Sequence, residues 1–287
     1  MTAKRRIWLC ADDYGMAPGI NVAIRKLILR GRLNATSVMT AAHYLHDDES
    51  GDLSLLNAGR PRALLGLHVT LTAPFKPLSN GFTPLREGVF PSNIDMLQLG
   101  MRRRIRHAPL YREIVAQIER FFDIFGHAPD YLDGHQHVHI FPVVRDAFLQ
   151  AVKDKVPQAW VRQCGRPHGA KPVTDVKGFF LDLLSVGMRA KARPLGIAFN
   201  PAFNGAYDFT PKADFTRLFP RFLRGMPDGG LIMCHPGFVD AALKRLDSLT
   251  DLREREVAFL DSDAFPALLD RHGYELAVPA SETVPAA

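Results

Sequence analysis

The chain has 287 residues, of which 47% are hydrophobic and 23% charged, with a formal net charge of +6 at pH 7. That length suits one α/β barrel, usually roughly 250 residues, and three scattered cysteines, Cys10, Cys164 and Cys234, exclude a disulfide framework and metal-finger spacing. The apolar run behind the basic N-terminus is too short for a signal peptide and no segment is long enough to span a bilayer, so a soluble, reduced, cytoplasmic protein is expected.

Residues 7–11 have strand length and composition and stop at two carboxylates, Asp12 and Asp13, followed by Tyr14 and Gly15. Alone, the pair would read as a cap for the helix that starts near Pro18. Where a strand breaks into a turn, however, two neighbouring carboxylates can be aimed into one space, and there they repel unless a cation or a proton intervenes. An amphipathic helix follows over 19–30, with Gly31 closing it, then a short strand over 35–40, a helix over 43–58 and a third strand over 63–72. This alternation marks βα units around a parallel sheet.

From 73 to 109 the pattern lapses into prolines, glycines and the basic run Met-Arg-Arg-Arg-Ile-Arg-His at 101–107. A connection that long is usually functional, and because it follows a strand end we expect a lid over the pocket. The basic run is expected to be a solvated face, with a basic rim beside the site or a membrane-surface contact as alternatives. No zinc-finger, helix-turn-helix or RNA-binding signature accompanies it, so no nucleic-acid partner is expected.

Order returns with a helix over 110–125, a fourth strand over 131–133, a helix over 142–153 opened by Pro142, and a fifth strand over 159–163. A helix over 175–193, a sixth strand over 196–200, a helix over 211–226, a seventh strand over 230–234, a long helix over 252–272 and a last strand over 274–278 complete the chain. No linker or repeat divides it, and the expectation is a single domain, 1–287, folded as a TIM-like parallel barrel.

Polar signals fall at four strand ends: Asp12 with Asp13, His68, the run His135, His137 and His139, and His235. In a parallel barrel those ends share one rim, where residues distant in sequence converge. Neutral imidazoles with a carboxylate are a common ligand set for one divalent cation. The alternating histidines at 135, 137 and 139 would share a face on an extended backbone, unless the chain bends after Gly134, and not all three can be ligands. Surface or packing roles are expected for the surplus ones and for His43, His46, His107, His127, His168 and His272. Phosphate-loop, serine-elbow and His-Glu-x-x-His patterns are absent, and Cys10 and Cys234 lie within apolar strands, which leaves an activated water as the nucleophile.

Four motifs, Ala-Asp-Asp-Tyr-Gly, Gly-Leu-His-Val-Thr-Leu-Thr, Tyr-Leu-Asp-Gly-His-Gln-His-Val-His-Ile-Phe-Pro and Met-Cys-His-Pro-Gly, resemble in order and spacing those of the YdjC-like carbohydrate deacetylases. That family includes chitin-oligosaccharide and hopanoid-associated deacetylases. The resemblance spans Arg6 to about Tyr274 and is weakest over 73–109 and 165–213. It implies a distorted (β/α) barrel, often dimeric, that removes N-acetyl groups from an amino sugar or a glycolipid head group. It implies Asp12 as general base, Asp13, His68 and His135 as ligands of magnesium or zinc, His235 as general acid and Arg162 as the residue that orients the base. A substrate contact is expected near Tyr14, where a backbone N–H of Tyr14 or Gly15 would face the oxyanion. Two other readings remain open: a metal-dependent barrel hydrolase of another amide or a phosphate ester, with His137 and His139 as ligands, and a non-catalytic carbohydrate- or lipid-binding barrel.

Overall fold

β1 (Arg5–Tyr14) is the strand against which the rest of the sheet is laid. In the computed structural model, which describes residues 3–167 and 176–279, its central residues Ile7 to Ala11 are fully or almost fully buried. The other strands are β2 (Ala35–Val38), β3 (Leu64–Val69), β4 (Tyr131–Gly134), β5 (Trp160–Val161), β6 (Phe203–Asn204), β7 (Gly230–Cys234) and β8 (Tyr274–Leu276). All pair in parallel, in the order β5-β4-β3-β2-β1-β7-β6, with β8 joined only to β1. The ends of this path meet: Val161 N donates to Ala198 O at 2.9 Å, and Phe203 N donates to Gly165 O at 2.9 Å. The result is a distorted, parallel α/β barrel of seven strands, with β8 beside the first residues of β1. Asn34 stitches that corner, accepting from Leu9 N at 2.7 Å and donating to the carbonyls of Ile7 and Ala277 at 2.9 Å each.

The helices are α1 (Pro18–Leu29), α2 (Asp47–Asn57), α3 (Asn93–Met101), α4 (His107–Phe125), α5 (Val144–Lys155), α6 (Val176–Ala192), α7 (Phe215–Phe222), α8 (Leu243–Leu246), α9 (Asp251–Asp261) and α10 (Ala264–His272). Helix α1 begins on Pro18 and buries Ile20, Ala23, Ile24, Leu27 and Ile28, the face its spacing specified. The carboxylates Asp12 and Asp13 do not cap it; the N-cap is Ala17, without a side-chain bond. Helix α4 buries Leu110, Ile114, Ile118 and Phe121 and stops at Gly126, whose φ of 73° is the left-handed conformation of a helix C-terminus.

Several elements differ from the sequence reading. The sixth strand, expected over 196–200, is β6 at Phe203–Asn204; Gly196, left-handed at φ 72°, closes the helical turn of residues 193–195, and only Phe199 makes an isolated bridge, to Val161. The stretch 73–109 contains α3, whose signal was Ser92 followed three residues later by Asp95; the Ser92 hydroxyl accepts from Asp95 N. The helix expected over 252–272 is two, α9 and α10, separated by Ser262 in an extended conformation. The histidine run after β4 is a tight 3₁₀ segment (His135–Ile140) rather than an extended one. Asp175, the expected start of the helix that is α6, lies outside the described residues, as does His168.

Candidate active site

The site begins with a fault in β1. Its register against β2 shifts between Ala11 and Tyr14, the mark of a bulge, and Asp13 takes a left-handed φ of 74° followed by Gly15 at 96°. A regular strand would send Asp12 and Asp13 to opposite faces. The bulge lets both line one cavity of about 530 Å³ at the C-terminal ends of the strands, along with His68, His135, His137 and His235.

Each carboxylate has its own buried arginine. Arg162, just beyond β5, donates through Nη1 to Asp12 Oδ2 at 2.7 Å and through Nη2 to Asp12 Oδ1 at 2.6 Å. Arg253, on α9, meets only one oxygen of Asp13, with Nη2 at 2.7 Å from Oδ2. The other oxygen, Oδ1, faces His135 Nδ1 at 3.0 Å and His68 Nε2 at 3.5 Å. These three buried residues can bring one donor atom each to within 4.8 Å of one another.

The orientation of His68 is set from behind. Its Nδ1 meets Asp133 Oδ1 at 2.5 Å, while Asp133 Oδ2 takes Arg162 Nη2 at 2.5 Å and the Ser37 hydroxyl at 2.6 Å. Burial alone would lower the His68 pKa, but the Asp133 and Asp12 carboxylates outweigh it and raise it to about 10. Burial would likewise raise the carboxyls of Asp13 and Asp133. The adjacent Arg253 holds Asp13 well below the ordinary range, and Arg162 with His68 does the same for Asp133.

A second close group, Cys10, Asp12 and Asp133, resembles a cation site only in its spacing. Its centre is already served by the Arg162 guanidinium, which also lies 3.1 Å from Cys10 Sγ. Burial pushes the thiols of Cys10, Cys164 and Cys234 upward, which disqualifies them as nucleophiles.

His235 follows β7. Its backbone N donates to Glu256 Oε2 at 2.5 Å, and Tyr207 donates to Oε1 of the same carboxylate at 2.7 Å. The ring stands edge-on to Phe209, 5.4 Å between centroids, and burial pushes its pKa down to about 4. Glu256 is itself raised by burial to about 7.

Several expectations are corrected by these positions. His135, His137 and His139 do not share a face, because Gln136 and His137 adopt left-handed φ values of 54° and 59°. Gly134 permits this fold-back: a Cβ there would lie 3.0 Å from the His139 side chain. His135 turns to Asp13, His137 lies against Cys164 with Nδ1 3.6 Å from Sγ, and His139 Nε2 donates to Arg162 O at 2.9 Å. Neither His137 nor His139 joins the Asp13 cluster. Tyr14 does not line the cavity; its side chain is buried, with the hydroxyl donating to Glu49 O at 2.6 Å and accepting from Arg25 at 2.9 Å. The Gly15 N–H is spent on Asn21 Oδ1 at 2.6 Å and cannot serve an oxyanion. Asp133, Arg253, Asp247 and Glu256 carried no role in the sequence reading. Asp133 stood two residues before His135 in a quoted motif, whereas nothing in the local sequence marks Arg253.

A buried pair of imidazoles and a one-oxygen carboxylate, opening on a cavity at the strand ends of an α/β barrel, defines a candidate metal-dependent active site. The chain belongs to the YdjC-like protein family, whose model matches residues 6–271. It is 29% identical over 271 residues to a carbohydrate deacetylase of Geobacillus stearothermophilus, covering 93% of each chain. It is 24% identical to a chitooligosaccharide deacetylase of Citrobacter koseri, covering 95% of this chain and 97% of the other. Among solved structures, a protein of Enterococcus faecalis V583 proposed to cleave cellobiose phosphate shares the fold, with a TM-score of 0.73, 21% identity, and 96% and 98% of the two chains covered.

Proposed function

We propose that this protein is a divalent-metal-dependent hydrolase that removes the N-acetyl group from an amino sugar, in an oligosaccharide or a glycolipid head group. The observation that carries the reading is the Asp13, His68 and His135 cluster opening on a cavity that Asp12 and His235 also line. The deacetylases among its relatives support the substrate class.

The donor set fits a divalent cation, with Asp133 behind His68 as the outer carboxylate that usually orients a ligating imidazole. Asp13, His68 and His135 would hold it. When bound, the cation supplies Lewis acidity toward an acyl oxygen and a water molecule. Two nitrogens and one oxygen suit zinc or another transition ion better than magnesium.

Asp12 is the general base. Arg162 occupies both of its oxygens from behind, which fixes the carboxylate and keeps it out of the ligand set, while Asp12 still lines the cavity. It takes a proton from the attacking water as the acetamide carbon becomes tetrahedral. The departing amine needs a proton, and His235 gives it. With its pKa near 4 the ring is neutral at rest, so the proton it delivers is one released within the reaction.

Residues 73–109 act as the lid of a single catalytic domain: Asn93 and Ile94 of α3 line the cavity, and Glu113 on α4 anchors Leu78 N at 3.0 Å and Ser79 N at 2.8 Å. Among the described residues no helix is long and apolar enough to cross a membrane. Three free buried thiols support a cytoplasmic setting, and the family resemblance supports a homodimer, which gel filtration would measure.

The test is acetate release across N-acetylated chito-oligosaccharides and acetylated glycolipids, with the protein chelated and then resupplied with zinc, cobalt or magnesium. Acetate and free amine should appear in equal amounts only after a cation returns. No acetate from any substrate with any of the three cations would refute the reading.

A further inference from the structure

The two neighbouring aspartates are held differently. Arg162 caps both oxygens of Asp12, whereas Arg253 caps one oxygen of Asp13 and leaves the other facing two imidazoles. Arg253 itself has little freedom. It is 1% exposed, its Nη2 also meets Asp247 Oδ2 at 2.7 Å, and its Nε donates to Leu249 O at 3.0 Å. Asp247 and Leu249 belong to the wall of the same cavity.

We infer that Arg253 is a positioning residue that makes Asp13 a one-oxygen ligand: it occupies Oδ2, offers only Oδ1 to a cation, and ties that carboxylate to the cavity wall at Asp247. The inference rests on the metal-site reading above and concerns the chain's own side chains. A carboxylate free to rotate would spread both oxygens over the cation; one pinned by a guanidinium cannot. The arrangement keeps the ligand count low, and open coordination positions are what a catalytic metal centre needs.

The coordination of the bound ion separates positioning from mere proximity. A cationic side chain near a cation repels it, so Arg253→Met tightens metal binding in either case. If Arg253 positions Asp13, the same substitution also frees Oδ2 and raises the coordination number of the ion; if Arg253 is only a nearby charge, the coordination is unchanged. The experiment measures Co²⁺ affinity by competition with a chromophoric chelator on the full-length protein, with the visible cobalt spectrum recorded alongside. The parent should show the intense absorption of a four- or five-coordinate ion. Arg253→Met should lose that intensity as Asp13 becomes bidentate and the coordination number rises. An Arg253→Met protein that keeps the parent spectrum overturns the inference, whatever its affinity.

Should Arg253→Met fail to fold, Asp13→Asn carries the test, because the shape of the side chain is kept. Arg253 must then face the amide oxygen, since two donors cannot face each other, and the amide NH₂ is turned toward the cation site. Cobalt binding should be lost. An Asp13→Asn protein that keeps the parent cobalt spectrum would have its amide oxygen on the cation and would overturn the inference. If the parent itself takes up no cobalt, zinc or manganese, the site reading falls and the inference with it.

Discussion

The floor of the cavity and its outer wall are built on different plans. The floor is made of strand ends, Asp12, Asp13, His68 and His135, held by buried side chains that form one connected set of ion pairs. The wall is made of segments between strands: Asn93 and Ile94 of α3, Ala206, Phe209 and Pro211, and Ser248 to Leu252, with Arg253 reaching from this last segment down to the floor. Position on the floor is fixed by the sheet, so in the proposed reaction its residues answer for the chemistry. Wall residues are carried on connections whose shape the barrel does not dictate, and they answer for what is bound.

The largest expected effects break the floor. Asp13→Ala and His135→Ala should remove bound metal and activity together, whereas Asp12→Asn should keep the metal and lose roughly 10² or more in rate, the scale of a general base. Metal content and turnover measured on the same preparations separate the two classes; an Asp12→Asn protein with parental turnover would remove Asp12 from its role.

His68 gives a pH test of the same floor. Because its pKa is raised to about 10 in the cation-free site, the ring is protonated at neutral pH, and a cation must displace that proton. The ring carries the proton in the cation-free site and loses it on ligating, so affinity should rise with pH and level off only near 10. The expected slope is about tenfold per pH unit between 7 and 9, with one proton released per cation. Calorimetry in buffers of different ionisation enthalpy measures that proton, and a pH-independent affinity would contradict the assigned ligand.

Behind the floor, Asp133→Asn removes the carboxylate that orients His68, and metal affinity should fall by about 10- to 100-fold. On the wall the comparison predicts the reverse pattern. Phe209→Ala, beside His235, should leave metal affinity unchanged and raise KM by up to about tenfold, with kcat less affected. Loss of metal from that variant would show that wall and floor are not separable.

This contrast also explains what could be read from the chain alone. The strands other than β6, and α1 and α4, were legible because a buried parallel strand is a short apolar run and a surface helix repeats its apolar face. β6 was misplaced because residues 197–199 are also an apolar run, yet they follow directly on the left-handed Gly196. That Asp12, Asp13, His68, His135 and His235 would gather around one cavity was legible because polar residues ending such runs have few structural explanations. Arg253 and Asp247 were not, since an arginine in the first turn of a helix and an aspartate a few residues before it look like any solvated pair, and only the folded chain brings Arg253, with Asp247 behind it, to Asp13. The histidine run stayed open for a local reason. Alternation fits a shared face only on an extended backbone, and the left-handed turns at Gln136 and His137, just after Gly134, send its three rings three ways. Tyr14 was misassigned because proximity in sequence to Asp13 says nothing about direction: its hydroxyl is drawn to α1 and α2 by Arg25 and Glu49.

The bulge in β1 makes the length of that strand as consequential as its composition. Removing one residue from the Asp12 and Asp13 pair would restore strict alternation, and every side chain beyond the deletion would change sides. The surviving aspartate could then serve only one of the two arginines, and Tyr14 would be pulled out of its berth between α1 and α2. Shortening this strand by a single peptide unit therefore abolishes two roles at once, which no replacement of either aspartate can do.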